Sequence, residues 1–303
     1  HAGRETRPVV IANYTDHAVL RARFSLPAAR PSTYSWNGTT FELAGGLGDA
    51  AADLRIAFAS CNGEEHGDLD RKGDERNAMW AHMAREHAKQ PFCLLLHGGD
   101  QVYADEVTQG HSLSKGWPDR VPRDPSREDL AGLHRHLRER FLQRYRALYS
   151  APEVAWIAAR VPSLMQWDDH DICDGRGSLP RSRPYSPVGQ TLFAAAREAA
   201  LLFQHGCTDG DLPPRFADPE GSHLGWCIEA PGLRLLAPDL RSERSRRRVM
   251  ARGGWRMMKA AAERPAAGRT LILSSVPLLG PRLSLLGLLM VLTPKMQKSL
   301  KEK

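Results

Sequence analysis

Six short apolar runs constrain this chain most: RIAFAS (55–60), FCLLLHG (92–98), SLMQWD (163–168), GWCIEA (225–230), LRLLAPD (233–239) and TLILSS (270–275). Each has the length and composition of a buried strand. Helix-patterned segments lie between several of them. DERNAMWAHMAREHAKQ (74–90) opens with acids. SREDLAGLHRHLRERFLQRYRALY (126–149) starts on Ser126, with Glu128 and Asp129 in its first turn. VGQTLFAAAREAALLFQHG (188–206) ends on Gly206. Acids at a helix start and glycine at its end answer the backbone groups that each terminus leaves free. Apolar strands alternating with helices predict an α/β fold, with mainly parallel or mixed sheet covered on both faces.

Residues 8–43 read differently. VVIANY and AVLRARFSL are β-rich and separated by Thr15-Asp16. TYSWNGTTFEL carries Asn37-Gly38, a hairpin turn signal, between two aromatic-containing runs. GGLGDAAAD (45–53) reads as a linker. The expected organisation is the end of a small β-sandwich over residues 1–50, followed by an α/β domain over 54–303.

Composition narrows the function classes. The formal charge is +7, carried by 34 Arg and only 8 Lys. Such a field attracts phosphate-bearing partners. The basic residues, however, form no recognisable nucleic-acid module. The cysteines are odd in number and show no C-x-x-C spacing, so neither a disulfide framework nor a structural zinc site is expected. A reducing, cytoplasmic setting fits best, with secretion or a periplasmic location as the alternative. The longest apolar stretch, LSLLGLLMVL (283–292), is well short of the roughly 20 residues a membrane span needs. Nothing in the sequence signals an oligomeric state.

In sheets of this kind, ligands bind beyond the carboxyl ends of the strands. Cys61-Asn62 follows the first apolar run, and Gly99-Asp100-Gln101-Val102-Tyr103 follows the second. Asp168-Asp169-His170-Asp171 and then Asp174 come at the third, and Asp239-Leu240-Arg241 at the fifth. So many acids around one rim repel one another, and cations relieve that repulsion: carboxylates suit hard metals, while thiolate and phenolate suit iron or zinc. The structural reading is that Asp168–Asp171 caps a helix and pairs with arginine. Cys61 is open to two readings, ligand or core packing. His134 and His136, at i and i+2 on a helix, face different sides and form no metal pair. His97 is read as a rim residue and the arginine run 244–248 as a solvated loop.

The set FASCN, HGGDQVYAD, QWDDHDICDGRGS and DLRSERSR resembles the alkaline phosphatase D (PhoD-like) family of metallophosphoesterases, in matching order from about residue 55 to 280. The resemblance implies a β-sandwich core of mixed sheets flanked by helices, holding a polynuclear metal site. It implies iron with calcium, with manganese or zinc as alternatives, and a phosphate-ester substrate. Cys61 then stands at a thiolate ligand, Asp100 at a bridging carboxylate and Tyr103 at a phenolate ligand. Asp169 stands at a second-metal ligand and Asp174 at a further one. His170 falls near the leaving oxygen as a catalytic group. Arg241 is a phosphate clamp or a support for the rim, and Asn62 a substrate-binding neighbour.

In such chemistry, two metals about 3.5–4 Å apart bind the attacking and leaving oxygens, and an activated hydroxide attacks phosphorus. The family's last metal motif, Gly-Asp/Glu-x-His, has no match downstream of residue 240; GEEH (63–66) is a superficial likeness in the first loop. The absent Met at His1 and the lysines gathered in 295–303 suggest a chain cut at both ends. The alternative function is therefore a non-catalytic or truncated relative that binds phosphate ligands.

Overall fold

In the computed structural model of the chain, residues 5–49, 53–218, 221–265 and 268–278 are described. Strand β1 (Val9–Asn13) pairs antiparallel with β2 (Ala18–Arg21), and β3 (Ser32–Trp36) with β4 (Thr39–Leu43). The turn of the second hairpin is Asn37-Gly38, with φ of 48° and 76°. Two consecutive positive φ values match the twist of the flanking strands. The hairpins do not pair with each other. Each lies on helices of the later part of the chain instead. The Tyr34 hydroxyl donates to the Ala159 carbonyl (2.6 Å), and the Thr15 backbone N–H donates to Glu139 (2.9 Å). Arg138 lies over the Tyr14 ring.

The chain then runs β5 (Ile56–Ala59), α1 (Gly73–Arg76), α2 (Ala78–Lys89), β6 (Leu94–His97), α3 (Arg127–Tyr149), α4 (Pro152–Ala158), β7 (Ser163–Met165), α5 (Pro187–Ala199), β8 (Trp226–Ala230), β9 (Leu233–Ala237), α6 (Arg252–Glu263) and β10 (Arg269–Ile272). All six apolar runs contain strands. β5, β6 and β7 form a parallel sheet. β9 is central to a second, mixed sheet, parallel to β10 and antiparallel to β8. The Trp226 indole on β8 donates to the Met165 carbonyl on β7 (2.7 Å), tying the sheets together.

β6 is unbroken Leu-Leu-Leu because both of its faces are covered. Leu94 and Leu96 enter the larger core with Leu133, Leu137 and Phe141 of α3 and Leu192 of α5. Leu95 enters a smaller core with Trp80 of α2 and Ile157 of α4. This is the period-2 alternation of a strand buried on both sides.

Helix α3 starts with the capping box its sequence implies. Ser126 Oγ accepts from the Asp129 N–H (3.1 Å), and the Asp129 carboxylate accepts from the Ser126 N–H (3.2 Å). Helix α5 runs on as a π-helical turn, Ala200–Gln204, before Gly206 stops it at φ 62°. The sequence did not suggest α4 or α6. α4 is short, and α6 opens Arg252-Gly253-Gly254, where each glycine costs about 1 kcal/mol of helix propensity. Among the described residues, no helix is long and apolar enough to cross a membrane. The apolar stretch 283–292 lies outside them.

Candidate metal and phosphate site

Strands β5 and β6 end in the same way. Cys61 and Asp100, each shortly after its strand, adopt left-handed backbone conformations at φ 57° and 54°. Such conformations cost about 1–3 kcal/mol for residues other than glycine. The two bends are laced together: the Cys61 N–H donates to the Gly99 carbonyl (3.1 Å) and the Asn62 N–H to the Asp100 carbonyl (2.9 Å). The bends bring Cys61 Sγ within 3.7 Å of Asp100 Oδ2. Gly99 permits the third strand end to approach, since a Cβ there would sit 2.5 Å from Asp168 Cβ.

Asp171 locks these loops together from below. Its buried carboxylate accepts from the backbone N–H groups of Asp100 (2.8 Å), Gln101 (3.0 Å), Val102 (3.2 Å) and Asp168 (2.9 Å). It also accepts from Gln204 Nε2 (3.0 Å) on the π-helical turn. Above this clamp, ligand atoms of Asp100, Asp169 and His170 lie within 4.8 Å of one another. This is the only such trio of His, Cys, Asp or Glu among the described residues. The Tyr103 ring stacks on His170 at 4.3 Å between centroids.

Electrostatics set the character of the rim. Burial, and then the Asp168 charge, push the Asp100 carboxyl up to about 6. Burial and the Asp100 charge push Asp171 up to about 8, against its hydrogen bonds. Burial holds the Cys61 thiol and the Tyr103 phenol above their ordinary values, with the Asp100 charge adding to both. For His170, burial disfavours the cation, but the Asp105 hydrogen bond and the Asp105, Asp100 and Asp169 charges outweigh it and raise the group to about 9. A cation among these groups would reverse the acid shifts. The donor set of thiol, phenol, carboxylates and imidazole therefore fits a metal centre.

The remaining expected residues take distinct places. Arg241 Nε bonds Asp168, Nη2 lies 3.1 Å from Asp169, and Nη1 donates to the Arg176 carbonyl (3.0 Å). Its guanidinium thus contacts both Asp168 and Asp169. Asn62 turns inward: its Oδ1 accepts from the Trp80 indole (2.7 Å) and its Nδ2 donates to the Gln101 carbonyl (3.3 Å). Asp174 lies outside the trio and shares a hydrogen bond with Glu65, whose carboxyl is raised by burial and then by Asp174. Glu65 of the GEEH segment therefore lies beside Asp174. His134 lies beside Glu198 and His136 bonds the Gln109 carbonyl, so the two do not meet.

Three residues escaped the sequence reading. Asp105 accepts from His170 Nδ1 (2.8 Å) and from the Asp174 N–H (2.6 Å). Asp171 was one acid among several in its block. Arg244 belongs to the run expected to be solvated, and Arg246, Arg247 and Arg248 are indeed exposed. Arg244, however, lies across Gly177, where a Cβ would meet its Cγ at 2.6 Å. Its Nη1 is buried without a partner. Burial, and then Arg241, lower its pKa, with Asp168 and Asp169 opposing.

His97 is buried, not at the rim. Nδ1 contacts Gln101 Oε1 (2.7 Å), Nε2 has no partner, and burial lowers the group to about 4. An unfolded histidine protonates near 6.5, while the folded one stays neutral down to about 4. The stabilising contribution is complete above about pH 6.5 and is lost as pH falls, by about 3 kcal/mol at pH 4. Urea titrations of wild type and His97→Gln should show this extra acid sensitivity in the wild type only. Parallel pH profiles would refute it.

A profile of the family described as PhoD related phosphatase matches residues 58–301. A Saccharomyces cerevisiae protein, "Uncharacterized protein YGR266W", is 23% identical over 248 residues, covering 69% of this chain and 35% of its own length. A solved structure titled "Structure of PhoD" matches at 20% identity and a TM-score of 0.36, covering 67% of this chain and 34% of the other. The chain thus spans about a third of the length of each relative. Since the family profile takes in the strand-end acids, the imidazole and both arginines at the rim, the chain belongs to the PhoD-related phosphatase family.

Proposed function

We propose that this chain is a metal-dependent phosphoesterase whose reacting centre lies over Asp100, Asp169 and His170. The observation that carries this reading is that trio, with its ligand atoms within 4.8 Å and the Cys61 sulfur 3.7 Å from Asp100. Asp100 and Asp169, with Cys61 and Tyr103 beside them, would hold the metals, and iron with calcium suits the mixed thiol, phenol and carboxylate donors. Bound metals supply Lewis acidity and an activated water.

The chain's own residues supply orientation, charge and proton transfer. Among the described residues, Arg244 has a guanidinium nitrogen, Nη1, with no partner, whereas Arg241 is spent on Asp168 and Asp169. Arg244 therefore takes the phosphate oxygens through its planar fork. Asp105 fixes His170 through Nδ1, which leaves Nε2 to face the substrate and hand a proton to the leaving oxygen. Asn62, bound by Trp80 and Gln101, positions the first loop rather than touching substrate. Asp174, with Glu65, forms the acidic outer wall and is a further ligand on this reading.

The test is hydrolysis of bis(p-nitrophenyl) phosphate by wild type and Arg244→Ala. The wild type should turn it over. The variant should lose about 1.5–3 kcal/mol of charge-assisted hydrogen bonding, roughly 10–100-fold in kcat/KM. An unchanged kcat/KM would remove Arg244 from the site, and an inactive, metal-replete wild type would defeat the proposal itself.

A further inference from the structure

A second arginine cluster lies away from the acidic rim. β2 and the loop 205–215 enclose a cleft of about 500 Å³, lined among others by Arg21, Arg23, His205, Asp211, Pro213 and Arg215. None of these residues belongs to the site described above. Arg21 and Arg23, two apart along one hairpin edge, both reach Asp211 at 2.7 Å. Asp211 is the one carboxylate in a lining that holds three arginines, and it pairs with two of them, Arg21 and Arg23.

Arg215 is the least compensated of the three. It is half-buried, and its Nη2 donates to the His205 carbonyl (3.3 Å) while its Nε is buried without a partner. No carboxylate pairs with it among the described residues. A desolvated charge without a counter-ion is costly. Its field is felt nearby: burial first, then Arg215 and Arg197, push His205 down to about 3. His205 is therefore neutral at physiological pH and adds no positive charge of its own.

The cleft thus carries two net positive charges, three planar forks and a volume within the roughly 300–1,000 Å³ of small-molecule sites. That volume exceeds what a bare oxyanion fills. Arginine forks match the tetrahedral oxygens of phosphate in a bidentate manner. We propose that this cleft binds a phosphate monoester dianion, whose charge completes Arg215 and whose organic part fills the space between β2 and the Pro213-Pro214 segment. Such a ligand would also fasten the first hairpin to the catalytic domain.

Calorimetry with phenylphosphonate, a dianion that is not hydrolysed, tests this on chelator-treated protein at low salt. Titrations in an Arg244→Ala background keep the rim from contributing. One site per chain is expected there, weakened at least 10-fold by Arg215→Gln. If Arg215→Gln fails to fold, Arg23→Gln, at an exposed position, should weaken binding in the same sense. Inorganic phosphate serves as the second probe and should bind more weakly than phenylphosphonate. Equal affinity would overturn the monoester class in favour of free phosphate. Undiminished binding in both arginine variants, or none in the Arg244→Ala background, would overturn the site.

Discussion

Asp100→Asn should reduce phosphodiester turnover by more than about 100-fold, beyond the range seen for residues that only support a metal ligand. Asp100 combines three features that asparagine cannot reproduce together. Its carboxylate sits within reach of both Asp169 and His170, and Oδ2 lies 3.7 Å from the Cys61 sulfur. Its Oδ1 accepts from the His170 backbone N–H at 3.2 Å. Its negative charge is the one a cation at this position would draw on most directly. Asparagine keeps the shape and one acceptor but loses the charge, so the fold should survive while turnover does not. Steady-state kinetics with matched circular dichroism separates these outcomes. Turnover within a few-fold of wild type would show that Asp100 serves the fold alone.

The second large effect is expected at Asp171, and it is one of stability. Asp171→Ala removes the acceptor for four backbone N–H groups and the Gln204 amide at once. Each buried donor left unsatisfied costs about 1–3 kcal/mol. These losses are not additive, and the loops will relax. A net loss of about 4 kcal/mol or more is still expected, in the range that marks a broken buried network. Urea denaturation would register it as a fall in midpoint. The loop bearing Asp100 and the loop bearing Asp169 would then keep the Asp100–His170 and Asp105–His170 contacts but lose this clamp, so turnover should fall even at low temperature where the variant stays folded. A loss under about 1 kcal/mol would mean that water replaces the carboxylate and that the clamp is not what joins the loops.

Local patterns were legible in the sequence because local physics decides them. The Asn37-Gly38 hairpin, the Ser126 capping box and the doubly covered Leu94–Leu96 strand each depend on a few adjacent residues. The candidate site was legible at the level of which strand ends deliver acids. It was not legible at the level of which acid faces where. Asp168, Asp169 and Asp171 are alike in composition, and their roles diverge only through the loop path. Asp168 meets Arg241, Asp169 joins the trio, and Asp171 turns under the loop to collect backbone donors. The same holds for arginine. Arg241 sits in the more suggestive motif, yet the acids occupy it. Arg244 sits in a charge run that reads as surface, yet its buried Nη1 has no partner and Gly177 leaves room for its stem. The hairpins' docking was also hidden, since it depends on partners more than a hundred residues away, such as Tyr34 with Ala159 and Thr15 with Glu139.

If the strand-end acids form a metal centre that hydrolyses phosphate esters, metal content and turnover must rise and fall together. The most direct measurement is elemental analysis by mass spectrometry of purified wild type and Asp100→Asn, with turnover of bis(p-nitrophenyl) phosphate recorded on the same fractions. The wild type should retain stoichiometric metal, iron with calcium; turnover should track the metal from fraction to fraction; and Asp100→Asn should lose both. Wild-type turnover that persists in fractions free of iron, calcium, manganese and zinc would contradict the metal-centre reading.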